Sequence, residues 1–68
     1  MRLTPIAADC RNGNSCPTGY TTDRGTVVIQ GYAVVASDLP ADVTIPIGES
    51  VVEVPVALIQ EMAHALRG

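Results

Sequence analysis

Two strand-like segments that meet at a tight turn constrain this chain more than any other feature. Residues 17–22 are enriched in Thr and Tyr, and residues 26–35 in Val and Ile, as β-strands typically are. Between them, Asp23, Arg24 and Gly25 suit a short hairpin loop with the glycine in the left-handed conformation. The sequence therefore predicts an antiparallel hairpin, and with it a β-rich domain.

The second of these segments is apolar on both of its faces. Alternation places Val27 and Ile29 on one face and Val28 and Tyr32 on the other. A strand with water on one side normally alternates between apolar and polar residues, so this pattern predicts that both faces are covered. In a chain of 68 residues one helix covers only one of them. We therefore expect a second copy of the chain, or another protein, to cover the other face.

The C-terminal residues predict an amphipathic helix. Pro55 suits the first helical position, where its missing N–H has no intrahelical partner to lose. Beyond it, apolar residues recur at helical spacing and form one face. The residues expected to pack this helix onto a sheet are Leu58, Ile59, Met62 and Leu66.

The remaining segments complete an α+β prediction over a single domain, residues 1–68. Residues 4–9 form an apolar entry segment, residues 11–15 a turn cluster, and residues 50–54 a strand. Residues 43–47 contain Pro46, which restricts them to an edge strand or an extended linker. We predict a small antiparallel sheet of three to four strands with one C-terminal helix packed on it. The predicted core positions in the strands are Val27, Ile29, Val52 and Val54.

The charge balance argues against several classes of function. The net charge is −3, with four Arg, no Lys and seven carboxylates. Nucleic-acid binding needs a basic patch that releases counterions from phosphates, so we expect no direct contact with nucleic acid. No apolar run approaches the roughly 20 residues that span a bilayer, and none resembles a signal sequence. We therefore expect no membrane partner and a cytoplasmic location.

Cys10 and Cys16 flank the predicted turn cluster. If residues 12–14 form a three-residue loop, the two cysteines face each other at a separation compatible with a disulfide. A two-residue loop instead places Cys10 opposite Ser15. Reduced thiols are the default in a cytoplasm, and zinc requires four ligands, of which only His64 and carboxylates could complete the set. Free, bridged and metal-bound or redox-sensing cysteines all stay open at this point.

Few other residues carry recognisable chemistry. Arg24 stands at the hairpin tip, and Tyr20 and Tyr32 combine a large apolar ring with a polar end, so these three residues are candidates for contact with a partner. His64 lies on the polar face of the predicted helix, with neither a nucleophile nor a pocket indicated nearby. We expect no enzymatic activity and no cofactor.

Several sequence motifs support a resemblance to known proteins. The runs Cys-Pro-Thr-x-Tyr at residues 16–20, Thr-Asp-Arg-Gly-Thr at 22–26 and Gly-Glu-Ser-Val-Val-Glu-Val-Pro at 48–55 resemble a group of small uncharacterised actinobacterial proteins. More loosely, the order of elements is similar to that of BldB-like proteins: short strands, an Arg-containing turn and then a C-terminal amphipathic helix. That likeness implies an accessory partner of helix-turn-helix regulators, often dimeric.

These observations predict a non-enzymatic protein-interaction module. We expect it to act as a homodimer or to bind a protein partner such as a transcriptional regulator. The alternative is a metal- or redox-responsive module that uses Cys10 and Cys16.

Overall fold

A computed structural model describes residues 1–10 and 16–68. The predicted turn cluster at residues 11–15 lies outside them. The described elements are, in chain order, strands β1 (Leu3–Ala8), β2 (Thr18–Thr22), β3 (Val27–Gln30) and β4 (Tyr32–Ala33), a 3-10 turn (Ala36–Asp38), strand β5 (Val52–Glu53) and helix α1 (Val56–Arg67). The α+β prediction is confirmed.

The predicted hairpin is present as β2 and β3. Gly25 has a φ of 76°, which is the left-handed conformation that the turn requires. The Thr22 hydroxyl oxygen lies 3.0 Å from the Arg24 backbone nitrogen and 3.3 Å from that of Thr26, and both N–H groups donate to it. Two hydrogen bonds between Asp23 and Arg2 also tie this turn to the start of β1: the Arg2 N–H donates to Asp23 Oδ1 at 3.1 Å, and the Asp23 N–H donates to the Arg2 carbonyl oxygen at 3.3 Å.

Strand β1 was not expected from its sequence, which reads only as an apolar entry segment. It pairs antiparallel with β2, and β3 lies on the other side of β2, so the sheet order is β1-β2-β3. The pairing shifts by one residue between Pro5 and Ala7, which leaves Ile6 as the extra residue of a β-bulge. Proline is tolerated here because β1 is an edge strand.

The prediction of one continuous strand over residues 26–35 is wrong. The segment breaks at Gly31, and β4 then pairs with β5 in a separate two-stranded sheet. A Cβ at Gly31 would lie 2.5 Å from Val54 Cγ1 and 2.9 Å from the Glu53 carbonyl oxygen. The close approach of this second sheet therefore coincides with the break. The predicted strand at residues 50–54 shortens to Val52–Glu53. Residues 43–46 form a linker without regular secondary structure, and a turn at Ile47 and Gly48 follows it.

Helix α1 packs on the three-stranded sheet, as predicted, and its contacts there are with β1 and β2. It starts one residue later than expected because Pro55 is its N-cap. Leu58 is 1% exposed, and with Ala7 and Met62 it forms the described core. Met62 lies directly over Gly19, where a Cβ would overlap its side chain. A glycine in the middle strand thus lets the helix approach the sheet closely.

Several predicted core positions are exposed instead. Ile29 and Val54 do pack against the core, which confirms half of the predicted strand positions. The exposed ones are Val27, Val52, Ile59 and Leu66. For Val27 and Leu66 the reason is the small size of the sheet: the helix lies mainly over β1 and β2, so Leu66 near its C-terminus and Val27 at the start of β3 lack a covering layer.

Candidate functional site

Cys10 and Cys16 form a disulfide that closes the β1–β2 hairpin. Ala8 pairs with Thr18, and the Asp9 N–H donates to the Pro17 carbonyl oxygen at 2.9 Å. The next pair in this register after Asp9 and Pro17 is Cys10 and Cys16, whose Cα atoms are 4.4 Å apart. The bulge in β1 contributes to this outcome, because it shifts the pairing by one residue.

The disulfide borders an open cleft of about 200 Å³ between the end of β1 and the first turns of α1. Asp9, Cys10, Leu58 and Glu61 are among the residues that line it. Within residues 1–10 and 16–68, no three His, Cys, Asp or Glu side chains gather closely enough to hold a metal ion. The arrangement offers a bridged pair of cysteines as its one chemically distinctive feature.

The three residues proposed for partner contact lie in different parts of the fold. Tyr20 is half-buried in β2, and its hydroxyl donates to Gln30 Oε1 at 3.2 Å. Tyr32 lies in β4 opposite Glu53, and Arg24 is exposed at the hairpin tip. They do not converge on one pocket, so each can contribute only to an extended surface.

One face of the three-stranded sheet lies opposite the helix. Residues directly opposite in an antiparallel ladder share a face, so Tyr20 lies with its partners Pro5 and Val28. Since Gly19, Ala7 and the core are on the helix side, this set is on the other side. Leu3, which pairs with Thr22, extends the same surface and is exposed.

An apolar groove opens at the other end of the sheet, on the helix side. It has a volume of about 540 Å³, and Val27 and Leu66 form its apolar walls. These side chains are 44% and 55% exposed. Both were expected in the core, and the groove is the space left between them. The spacing of four residues between Leu58, Met62 and Leu66 correctly placed Leu66 on the helix face that points toward the sheet. It could not show where the sheet ends.

A further apolar residue was missed by the sequence analysis. Ile47 is 105% exposed, at a turn that a bond from the Glu49 N–H to the Pro46 carbonyl oxygen closes at 3.1 Å. The proline within the 43–47 segment indicated a linker but gave no sign that an apolar side chain would be presented to solvent.

Comparison with known proteins adds no assignment. A scan against protein-family models, a search of curated proteins and a search of solved structures all found no match to this chain. The resemblance to the actinobacterial group and to BldB-like proteins therefore stays a prediction. Among the described residues, no helix is long and apolar enough to cross a membrane.

Proposed function

We propose that this chain is a non-enzymatic protein-interaction module that works as a homodimer. The observation that carries the proposal is its large exposed surface. The accessible area is 5234 Å². A folded monomer of 7.1 kDa exposes about 4,100 Å² according to the usual scaling of area with mass. The chain thus presents about 1,100 Å² more than a compact protein of its mass.

The dimensions of the chain support the same reading. Its radius of gyration is 13.3 Å. A compact domain of 68 residues is expected near 11 Å. Because the described core consists of only Ala7, Leu58 and Met62, the chain gains little stability from burial inside one copy. Association would supply the missing buried surface.

The exposed surface also has the composition of a contact area. Large apolar side chains are exposed along both sheets, the linker and the helix, and isolated examples of this kind would need no explanation. Here two of them, Val27 and Leu66, wall one groove. Grouped apolar exposure marks interaction surfaces on soluble proteins.

The proposed partner class beyond self-association is a transcriptional regulator in the cytoplasm. The support is the resemblance to accessory proteins together with the charge of the chain. With a net charge of −3 and a pI near 4.6, the module is complementary to a basic DNA-binding domain but not to DNA itself.

Size-exclusion chromatography with light scattering tests the dimer at micromolar protein concentration. The proposal predicts a mass twice that of one chain, with a folded far-UV circular dichroism spectrum. A folded species with the mass of one chain would overturn it.

A second candidate function is redox response through Cys10 and Cys16. The observation in its favour is the disulfide, of which Cys10 is exposed to solvent. A cytoplasm keeps most thiols reduced, so a bridge there is more often switched than permanent. Dithiothreitol would transfer two electrons to the bridge, giving two thiols and the cyclic disulfide of the reagent.

The test of this candidate compares the parent chain with a Cys10→Ser/Cys16→Ser variant. Redox response predicts that dithiothreitol changes the melting temperature or dimer affinity of the parent and leaves the variant unaltered. Equal behaviour of parent and variant under both conditions would exclude a redox role.

A further inference from the structure

We propose that a second copy of this chain pairs along the outer edge of β3, so that two three-stranded sheets join into one. This inference rests on the proposed homodimer and names the surface and register that would form it. It would bury the edge residues Val27 to Gln30 between the two copies.

The two edges of the three-stranded sheet differ in how they are protected. Edge strand β1 carries Pro5, which has no N–H to donate, and the bulge at Ile6. Proline and bulges are the usual devices that keep an edge from pairing with another strand. Strand β3 has the sequence Val-Val-Ile-Gln, with neither a proline nor a charge. Only the β3 edge is therefore open to a further strand.

The hydrogen-bond pattern shows which peptide groups face this edge. The Thr22 N–H donates to the Thr26 carbonyl oxygen at 3.0 Å, which makes these residues a bonded pair. Bonded pairs alternate along an antiparallel ladder, so Val28 and Gln30 direct their peptide groups toward β2. Val27 and Ile29 direct theirs outward. Within the part of the chain that the structure describes, no strand lies on that side of β3.

A two-fold axis at Val28 satisfies these outward groups in both copies. It places Val27 of each copy opposite Ile29 of the other, in two bonded pairs that use the outward N–H and C=O groups. Val28 then faces its own counterpart as a non-bonded pair, with Cα atoms about 4.5 Å apart. The pairs nearest the axis, Val28 with Val28 and Val27 with Ile29, are all aliphatic. Beyond them Gln30 of each copy faces Thr26 of the other, and the register from Thr26 to Gln30 contains no charged pair.

This arrangement also covers the groove. Opposed residues in an antiparallel sheet share a face, so the two α1 helices lie on the same side of the joined sheet. Val27 and Leu66, which wall the groove beside the β3 edge, then face the second copy. A stable interface buries about 800 Å² on each partner, which the excess exposed area of this chain can supply. The self-complementary, uncharged edge is the reason to choose a second copy over a foreign peptide.

Disulfide trapping tests the register directly. In Val28→Cys, the new thiols would meet at the two-fold axis, and mild copper-catalysed oxidation should yield a covalent dimer on a non-reducing gel. Gln30→Cys is the matched control on the same strand and face. Its Cα lies about 14 Å from its counterpart in the proposed register, too far for a disulfide, so it should stay monomeric on the gel.

A charge on the edge tests the same surface without cross-linking. Val27→Lys should raise the dimer dissociation constant at least tenfold, because a paired edge would bury the new ammonium. Val43→Lys is the control. Val43 is 46% exposed, a fraction similar to the 44% of Val27, but it lies in the linker and not on the β3 edge. If Val27→Lys fails to fold, as judged by circular dichroism, the trapping result decides alone.

The outcomes separate this inference from the homodimer on which it rests. A dimeric parent in which Val28→Cys does not cross-link, or cross-links no better than Gln30→Cys, overturns the β3 edge and leaves the homodimer standing. A monomeric parent overturns both. Selective trapping of Val28→Cys, with a dimer weakened by Val27→Lys and not by Val43→Lys, supports both.

Discussion

Replacing Leu58 by alanine tests whether the small core holds the helix to the sheet. Leu58 is 1% exposed and packs with Ala7 and Met62. The substitution removes three buried carbon atoms, each contributing about 0.8 kcal/mol of transfer free energy, or about 2.4 kcal/mol together. A cavity that the neighbours cannot fill adds to this, so we expect a loss of about 3–4 kcal/mol, within the measured range for such changes.

That loss is large for a chain of this size. Folded proteins have about 0.05–0.15 kcal/mol of stability per residue, which for 68 residues gives roughly 3–10 kcal/mol. Leu58→Ala should therefore remove from about a third to all of the stability of the chain.

The matched control is Leu3→Ala, on the sheet face opposite the helix, where the side chain is exposed. We expect it to lower the free energy of unfolding by about 1 kcal/mol or less. Urea denaturation followed by far-UV circular dichroism measures both variants, at one fixed protein concentration because dimer stability depends on concentration. Equal losses at the two positions, or a loss below about 1 kcal/mol for Leu58→Ala, would refute the proposed core.

Three further predictions concern the close approach of β5 to Gly31, the β2–β3 turn and the disulfide. Gly31→Ala should destabilise the fold by about 1–3 kcal/mol, since its Cβ meets the backbone of β5, whereas Gly68→Ala at the helix end should change little; equal melting temperatures would contradict this packing. Thr22→Val removes the hydroxyl that accepts hydrogen bonds from two turn N–H groups, and it should lower the free energy of unfolding by about 1 kcal/mol. Thr44→Val in the linker is the control, and urea denaturation measures both variants. Equal losses in the two variants would contradict the role of these hydrogen bonds in the turn. Reducing the disulfide opens a short loop and should lower stability by about 2 kcal/mol, measured by thermal melts with and without dithiothreitol. An unchanged melting temperature, with thiol titration showing full reduction, would rule out that stabilisation.

The sequence predicted the helix and the central hairpin well because their determinants are local. Leu58 and Met62 recur at helical spacing, and Gly25 supplies the left-handed turn residue directly after Asp23 and Arg24. Each of these features acts within a few residues of itself, so periodicity and turn chemistry were sufficient to find them.

Other features depend on distant parts of the chain and could not be predicted in this way. The break at Gly31 coincides with the approach of Val54 and Glu53, which are more than 20 residues away in sequence. Similarly, the bulge at Ile6 sets the β1 register that brings Cys10 to Cys16. The sequence left two loop lengths open here because local turn preference does not reveal that bulge.

The exposure of Val27 and Leu66 also depends on distant parts of the molecule, which local sequence patterns do not reveal. An apolar pattern predicts which face of an element is buried, but it does not say whether the same chain provides the covering layer. In this chain the helix covers β1 and β2 and leaves β3 at an open edge. The sequence expectation that both faces of the second hairpin strand would be covered thus becomes an argument for a second copy.

Native mass spectrometry of the parent chain under non-reducing conditions tests the central claim most directly. It reports the oligomer mass and the two-dalton loss of a disulfide in each chain together. We predict a dimer, with twice the 7.1 kDa mass of one chain and one disulfide in each copy. A folded monomer at micromolar concentration would contradict the account, whatever the state of its cysteines.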